Sequence, residues 1–261
     1  MSSNSNSCKE VRYIKGVHRH GSETFLLISK DKKSSYPNGI YKTSTTQTGI
    51  KSITSEYEGI CWYNERNKNK IVCELKKYSN NYFRIKITPN ENFFNTNSDV
   101  KYLLKKKYFE LTINHYIQIW NDYRGQEYGP LHGDLSLVGN VMFNNKDEVL
   151  FVDWEQFENN RQIPIGLDPI MMLLENVWYE IIKFKRIETE VLKHFVNSIN
   201  ILNKARLLSP LLLVNPAKNT LDFIRSNTDI WKGQHNKLPV LRLSESNILE
   251  IDNAICKMIN I

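Results

Sequence analysis

Cysteine is scarce in this chain, with four among 261 residues. Cys8, Cys61, Cys73 and Cys256 have neither paired metal-ligand spacing nor the density of a disulfide framework. Zinc-ribbon and disulfide-stapled classes are therefore set aside, and reduced thiols in a cytoplasmic protein are expected. Long apolar runs are also missing. Ile165–Leu174 soon meets Glu175 and Glu180, and Leu207–Val214 is short and broken by Pro210. Neither reaches the ~20 apolar residues of a membrane span, so both read as buried helices. The opening Met1–Ser7 is polar, which suits a loose tail rather than a signal peptide. No zinc finger, helix-turn-helix or RNP-like motif accompanies the basic residues, so nucleic acid is not an expected partner. Gly-x-Gly-x-x-Gly and Walker loops, internal repeats and low-complexity tracts are absent as well.

What remains is an ordinary globular composition, 41% hydrophobic and 24% charged in 30.7 kDa. The length can bury a real core and suits two lobes sharing one cleft. The net charge of +7 is uneven: 20 Lys and Arg stand against 9 Asp and Glu through Lys107, and 15 against 19 afterwards. A basic half suits an anionic nucleotide. Runs such as Lys105–Lys107 also suit a plain solvated face.

The most informative stretch runs from Leu131 to Phe143, followed by Phe151–Glu155. His132-Gly133-Asp134 begins a loop that Asn140 closes, and Val141–Phe143 leaves it as an apolar strand. Asn144–Asp147 reads as a polar turn and Val149–Val152 as the returning strand. Such a ribbon brings Asp134, Asn140 and Asp153 to one end. Two carboxylates and an amide oxygen there suit phosphoryl transfer from a magnesium nucleotide: one carboxylate orients the hydroxyl, and the other groups hold hard cations.

These residues resemble the catalytic loop and metal-binding aspartate of the protein-kinase-like fold, in its small-molecule branch of aminoglycoside phosphotransferases, choline kinases and sugar or lipopolysaccharide kinases. His-Gly-Asp-Leu stands where protein kinases have His-Arg-Asp-Leu, and Asp153-Trp154-Glu155 where they have Asp-Phe-Gly. The spacing departs from that pattern, because Ser136, Leu137, Val138 and Gly139 put four residues between Leu135 and Asn140 instead of three. Gly139 is expected to absorb the extra residue in a turn.

The resemblance implies an α+β, bilobal fold: a small five-stranded N-lobe with one helix, then a larger, mainly helical C-lobe. The expected boundaries are a tail over 1–10, a nucleotide-binding lobe over 11–91 and a catalytic, substrate-binding lobe over 92–261. Val11–Ile14, Thr24–Ser29, Gly39–Thr43, Lys70–Leu75 and Tyr82–Ile87 read as strands. Gly16–Ser22 would cover phosphates in such a lobe, and Thr88–Asn92 would be the hinge. Lys42 lies on the third strand, ahead of a helix read over Ser52–Asn64 with Ile53, Tyr57, Ile60 and Tyr63 or Asn64 on one face. The resemblance puts Lys42 on the nucleotide phosphates and a helix Glu on Lys42. Glu56 is the first choice and Glu58 the second, since residues two apart on a helix point roughly oppositely.

In the second lobe Tyr108–Trp120 reads as a helix, with His115 packed or solvated within it. His132 is expected to pack and position the backbone, and Trp154 to be core. Asp134 is the candidate catalytic base; Asp153 and Asn140 are the Mg²⁺ ligands. Glu155 shares a strand face with Asp153, either near the metal or structural. Asp168, before Pro169, reads as a helix cap, and the resemblance, whose members commonly carry Gly-x-Asp here, implies that it also braces the catalytic loop. Helices are expected over Ile170–Phe184, Glu188–Leu202, Thr220–Trp231 and Leu243–Ile259.

The implied activity is ATP-dependent transfer of the γ-phosphoryl group to a hydroxyl of a small molecule, an amino alcohol, an aminoglycoside or an envelope-glycan sugar. ATP and Mg²⁺ are the expected cofactors. The alternative is a pseudokinase-type binding or regulatory module without turnover, suggested by the extra residue before Asn140 and the missing glycine-rich loop.

Overall fold

A computed structural model of the chain describes residues 10–14, 24–30, 39–90, 93–94, 106–137, 139–159, 163–173, 175 and 189–209. Gly16–Ser22, residues 91–92 at the end of the expected hinge, the tail, and the helices expected over 176–184, 220–231 and 243–259 lie outside the described residues. The chain divides into two compact units, Met1–Phe93 and Phe94–Ile261.

The first unit is an antiparallel sheet with one described helix. Strands β1 (Glu10–Ile14), β2 (Phe25–Lys30), β3 (Gly39–Ser44), β4 (Val72–Ser79) and β5 (Tyr82–Thr88) lie in the order β1-β2-β3-β5-β4. Lys42 is paired with Leu26 on one side and Ile85 on the other, and Ile85 in turn with Leu75. Directly opposed residues share a sheet face, so the strand alternation puts Lys42 in a row of aliphatic side chains. Ile85 in that row is fully buried.

Helix α1 (Gln47–Arg66) begins five residues before the expected Ser52. The Thr46 hydroxyl caps it by accepting the Gly49 N–H at 3.2 Å. Gly49 lies in the first turn of the helix, ahead of the expected start. A side chain there would collide with Ser44, so this glycine serves close packing of α1 on β3 rather than a turn. Ile53, Ile60 and Tyr63 are buried as expected, while Tyr57 is half-buried. From the end of α1, the Asn64 side chain brackets the buried Ile71, donating to its carbonyl and accepting from its N–H, both at 2.8 Å. Strand β4 runs to Ser79, beyond the expected Leu75. It ends the sheet order, and an edge strand can carry the Lys76 and Lys77 that made this stretch look like loop.

The division between units falls within the short strand β6 (Phe93–Phe94). The second unit contains α2 (Lys106–Ile119), a 3₁₀ turn (Asn121–Tyr123), the β7 (Val141–Asn144) and β8 (Val149–Phe151) ribbon, a helix α3 over residues 167–173, and α4 (Thr189–Lys204). The ribbon pairs Val141 with Phe151 and Phe143 with Val149. Asn144 builds its turn by accepting the N–H groups of Lys146 and Glu148, both at 2.9 Å, with Asp147 at φ 61°. Phe109, Ile113, Tyr116 and Trp120 of the α2 region pack into a core with Phe143, Phe151 and Trp154. His115 is part of that core, edge-on to the Phe151 ring at 4.8 Å. Among the described residues, no helix is long and apolar enough to cross a membrane.

Candidate active site

In the first unit β3 and α1 bring Lys42 and Glu56 together. The Lys42 ammonium lies 2.9 and 2.8 Å from the two Glu56 carboxylate oxygens. Glu56 is 1% exposed and Lys42 15%, so the carboxylate is withdrawn from water while the ammonium keeps a partial opening. Glu58, the second choice, is exposed. Burying such a pair costs desolvation that its attraction offsets only in part, so stability alone is a weak reason to keep it. Cys73 on β4 is pushed up to about 11, first by burial and then by the Cys61 and Glu56 charges.

In the second unit the loop after Leu131 is held from three sides. Leu131 exchanges two backbone hydrogen bonds with Glu158, at 2.9 and 3.0 Å. The Asp168 carboxylate accepts the His132 N–H at 2.7 Å and the Gly133 N–H at 3.0 Å. Gly133 sits at φ +88°, and a Cβ there would lie 2.5 Å from the Gln156 carbonyl oxygen, so only glycine fits. The third hold is the fully buried His132 ring. Its Nε2 lies 3.1 Å from the Val152 carbonyl, and its Nδ1 accepts the Asp134 N–H at 3.3 Å. These two bonds assign the Nε2–H tautomer. Burial lowers the His132 pKa to about 4, against the opposing pulls of Asp153 and the Val152 bond, so the ring is neutral near pH 7. It positions the backbone and carries no proton to a substrate.

Asp134 follows, half-buried between buried neighbours. Its N–H goes to His132, and its carbonyl accepts from the Asn140 amide nitrogen. Both ends of its peptide backbone are therefore fixed. Asn140 returns to this position by a helical turn, its N–H on the Ser136 carbonyl at 2.9 Å, and its own carbonyl accepts the Val152 N–H at 2.9 Å. That turn absorbs the extra residue. Gly139 lies within that turn, as expected, and a Cβ there would meet Ser136 at 3.6 Å.

Asp153 lies just past β8, half-buried and at φ 65°, a left-handed conformation that aspartate tolerates better than most residues. This corrects the reading of Glu155. β8 ends at Phe151, and beyond it the chain is not a strand, so two-residue spacing gives Glu155 no shared face with Asp153. Glu155 is half-buried, and Trp154 between them is fully buried as expected.

Asp168 braces the loop but is not a helix cap. Helix α3 already starts at residue 167, and the carboxylate serves the loop's N–H groups rather than its own helix. Burial pushes its pKa up to about 7, with the two N–H donors pulling the other way. The same burial, followed by the Asp168 charge, raises the Tyr116 hydroxyl.

Glu175 escaped the sequence reading. It lies two helical turns beyond Asp168, and its carboxylate accepts a hydrogen bond from the Ser136 hydroxyl, two residues past Asp134. Burial raises its pKa. A lone acid closing the apolar run Ile170–Leu174 was the available signal.

Among the described residues no three His, Cys, Asp or Glu side chains cluster as a metal site. A magnesium ion carried by a nucleotide needs less: one or two protein oxygens, with phosphates and waters completing its octahedron. With the Asn140 amide nitrogen committed to the Asp134 carbonyl, its oxygen is the end left to act as a ligand. The Asn140 oxygen and the Asp153 carboxylate are hard-oxygen groups of the kind such an ion takes.

No family model matches the chain, and no curated protein matches it in sequence. Among solved structures it is similar to WaaP in complex with acyl carrier protein, at 10% identity over 86% of this chain and 89% of that one, with a TM-score of 0.46. It is also similar to Cex1p, at 13% identity over 98% of this chain and 49% of that one, with a TM-score of 0.38. At these scores neither likeness assigns a fold family or an activity.

Proposed function

We propose that the chain is a phosphotransferase that moves the γ-phosphoryl group of ATP to a hydroxyl of a small molecule. The observation that carries this reading is the doubly pinned Asp134, whose carbonyl also orients the amide of Asn140. Fixing the backbone fixes where the carboxylate can reach, which a group that orients a hydroxyl requires.

In this reading Asp134 accepts the hydroxyl proton as the acceptor oxygen attacks the γ-phosphorus and ADP leaves. Lys42, oriented by Glu56, binds the nucleotide phosphates. Asn140 and Asp153 hold Mg²⁺, which when bound neutralises charge on the phosphate oxygens. Glu175, a carboxylate hydrogen-bonded to Ser136 beside the same loop, supports an acceptor that carries an amino group.

Calorimetry of ATP binding with and without Mg²⁺ tests the reading, and absence of binding in both conditions would sink it. A screen of ATP consumption against amino alcohols, aminoglycosides and sugars then supplies an acceptor. Asp134→Asn should lower turnover on that acceptor by ~10²–10⁴-fold with little change in nucleotide affinity. Asp153→Asn should lose metal-dependent binding and turnover together. Full activity of Asp134→Asn would remove the role assigned to the loop, and a protein that binds nucleotide but turns over nothing on the panel would be a pseudokinase-type module.

A further inference from the structure

We infer that Trp120 is a positioning residue that sets the spacing between the loop carrying Asp134 and the loop carrying Asp153. Its indole N–H donates to the Pro130 carbonyl at 2.8 Å, and the Trp154 N–H donates to the Phe151 carbonyl at 3.0 Å. Pro130 stands two residues before His132, and Phe151 two residues before Asp153. Each tryptophan thus grips the backbone at the entrance to one loop. The two indoles are nearly parallel, 16° apart with centroids 6.3 Å apart. Tyr116 extends the column beyond Trp120, at 4.2 Å and 14°. His132 closes its other end against Trp154 at 4.3 Å. All four rings are buried.

A buried indole needs a partner for its N–H, and packing alone does not say which. Here the Trp120 donor reaches ten residues along the chain and the Trp154 donor three residues back, each to a carbonyl that leads into one of the two loops. Aromatic rings in van der Waals contact resist compression, so the column acts as a spacer between the carbonyls it holds. Trp120 acts at a remove, through Pro130 on one side and Trp154 on the other. The functional half of this inference rests on the phosphotransferase reading, in which misplacing a reacting group by about 1 Å costs on the order of 10²-fold. The geometric half does not.

The test uses the full chain with Trp120→Phe, which keeps a ring but removes the N–H, and Trp120→Leu, which removes both. Amide hydrogen exchange is followed at residues 131–137 and 151–157, with α4 and β5 as internal controls. Trp120→Phe should speed exchange in both loops by ~10-fold, the scale of one lost buried hydrogen bond, with the controls unchanged. Acceleration everywhere, as a merely structural tryptophan would give, overturns the inference, as does no acceleration at all. Metal-dependent ATP affinity should fall by about 3- to 10-fold in the same variant, with metal-free affinity unchanged. If exchange responds and that affinity does not, the functional half is overturned. A wild-type protein that binds no Mg·ATP defeats the phosphotransferase reading, while the exchange result still decides the geometric half. Should Trp120→Leu not fold, Trp120→Phe alone decides.

Discussion

The two units handle buried charge in opposite ways. In the first, the Glu56 carboxylate is buried against a countercharge, the Lys42 ammonium. In the second, the Asp168 carboxylate is buried against two backbone N–H groups, beside an imidazole that burial keeps neutral. An ion pair fixes two side chains to each other and leaves the backbone free to adjust. A carboxylate on consecutive N–H groups fixes the path of the chain itself. The first arrangement suits a lysine presented to a ligand, the second a loop whose carboxylate must be found in one place.

Removing either acid gives the largest expected effect and separates the two arrangements. Asp168→Ala leaves two buried donors without acceptors and should cost about 3–5 kcal/mol, read from urea or guanidinium unfolding. Asp168→Asn, which keeps one acceptor oxygen, should cost less. If Asp168→Ala is as stable as wild type, the loop is not held in the manner described.

Acid sharpens the comparison. As pH falls from 6.5 toward 4, the unfolded chain gains a proton on His132 that the native chain, with its pKa near 4, does not bind, so stability drops. Asp168 has the opposite sign. Its native pKa of about 7 exceeds the 3.8 of an unperturbed aspartate, so the native chain holds a proton the unfolded chain has lost, and stability falls as pH rises through that window. In the wild-type protein these slopes largely cancel between pH 4 and 6.5. Asp168→Asn removes one of them and should expose a loss of about 3 kcal/mol on acidification, relative to wild type. Parallel pH profiles for wild type and Asp168→Asn would refute the opposing pair.

The ion pair should be replaceable where the loop is not. Lys42→Met with Glu56→Leu should lie within about 1 kcal/mol of wild type in stability, above either single variant, because an apolar pair avoids the desolvation of both charges. Phosphate binding would be lost all the same. Glu58→Gln on the exposed side of α1 is the smallest case, within about 0.5 kcal/mol and without effect on ATP binding.

Local chemistry was the legible part of the sequence. The strand, helix and turn signals around Lys42, Glu56 and the β7–β8 ribbon were strong because each rests on periodicity within a few residues. The misreadings arose where distant contacts decided the outcome. The first turn of α1 fell outside the expected helix because the fit of Gly49 against Ser44 is set by tertiary packing. Asp168 looked like a cap because its partners, the N–H groups of His132 and Gly133, lie 36 and 35 residues away. Glu155 was placed by strand alternation that the left-handed Asp153 interrupts. Glu175 was passed over because an acid after an apolar run ordinarily marks where a helix meets water.

The turn from Ser136 to Asn140 has a consequence for comparing such chains. What Asn140 satisfies is a distance, from its amide to the Asp134 carbonyl, and the turn closed by its own N–H on the Ser136 carbonyl reaches it with four residues between Leu135 and Asn140. Loops of different length can therefore converge on the same closure. A fixed count of residues does not define this closure; the hydrogen bond from the Asn140 amide to the Asp134 carbonyl does.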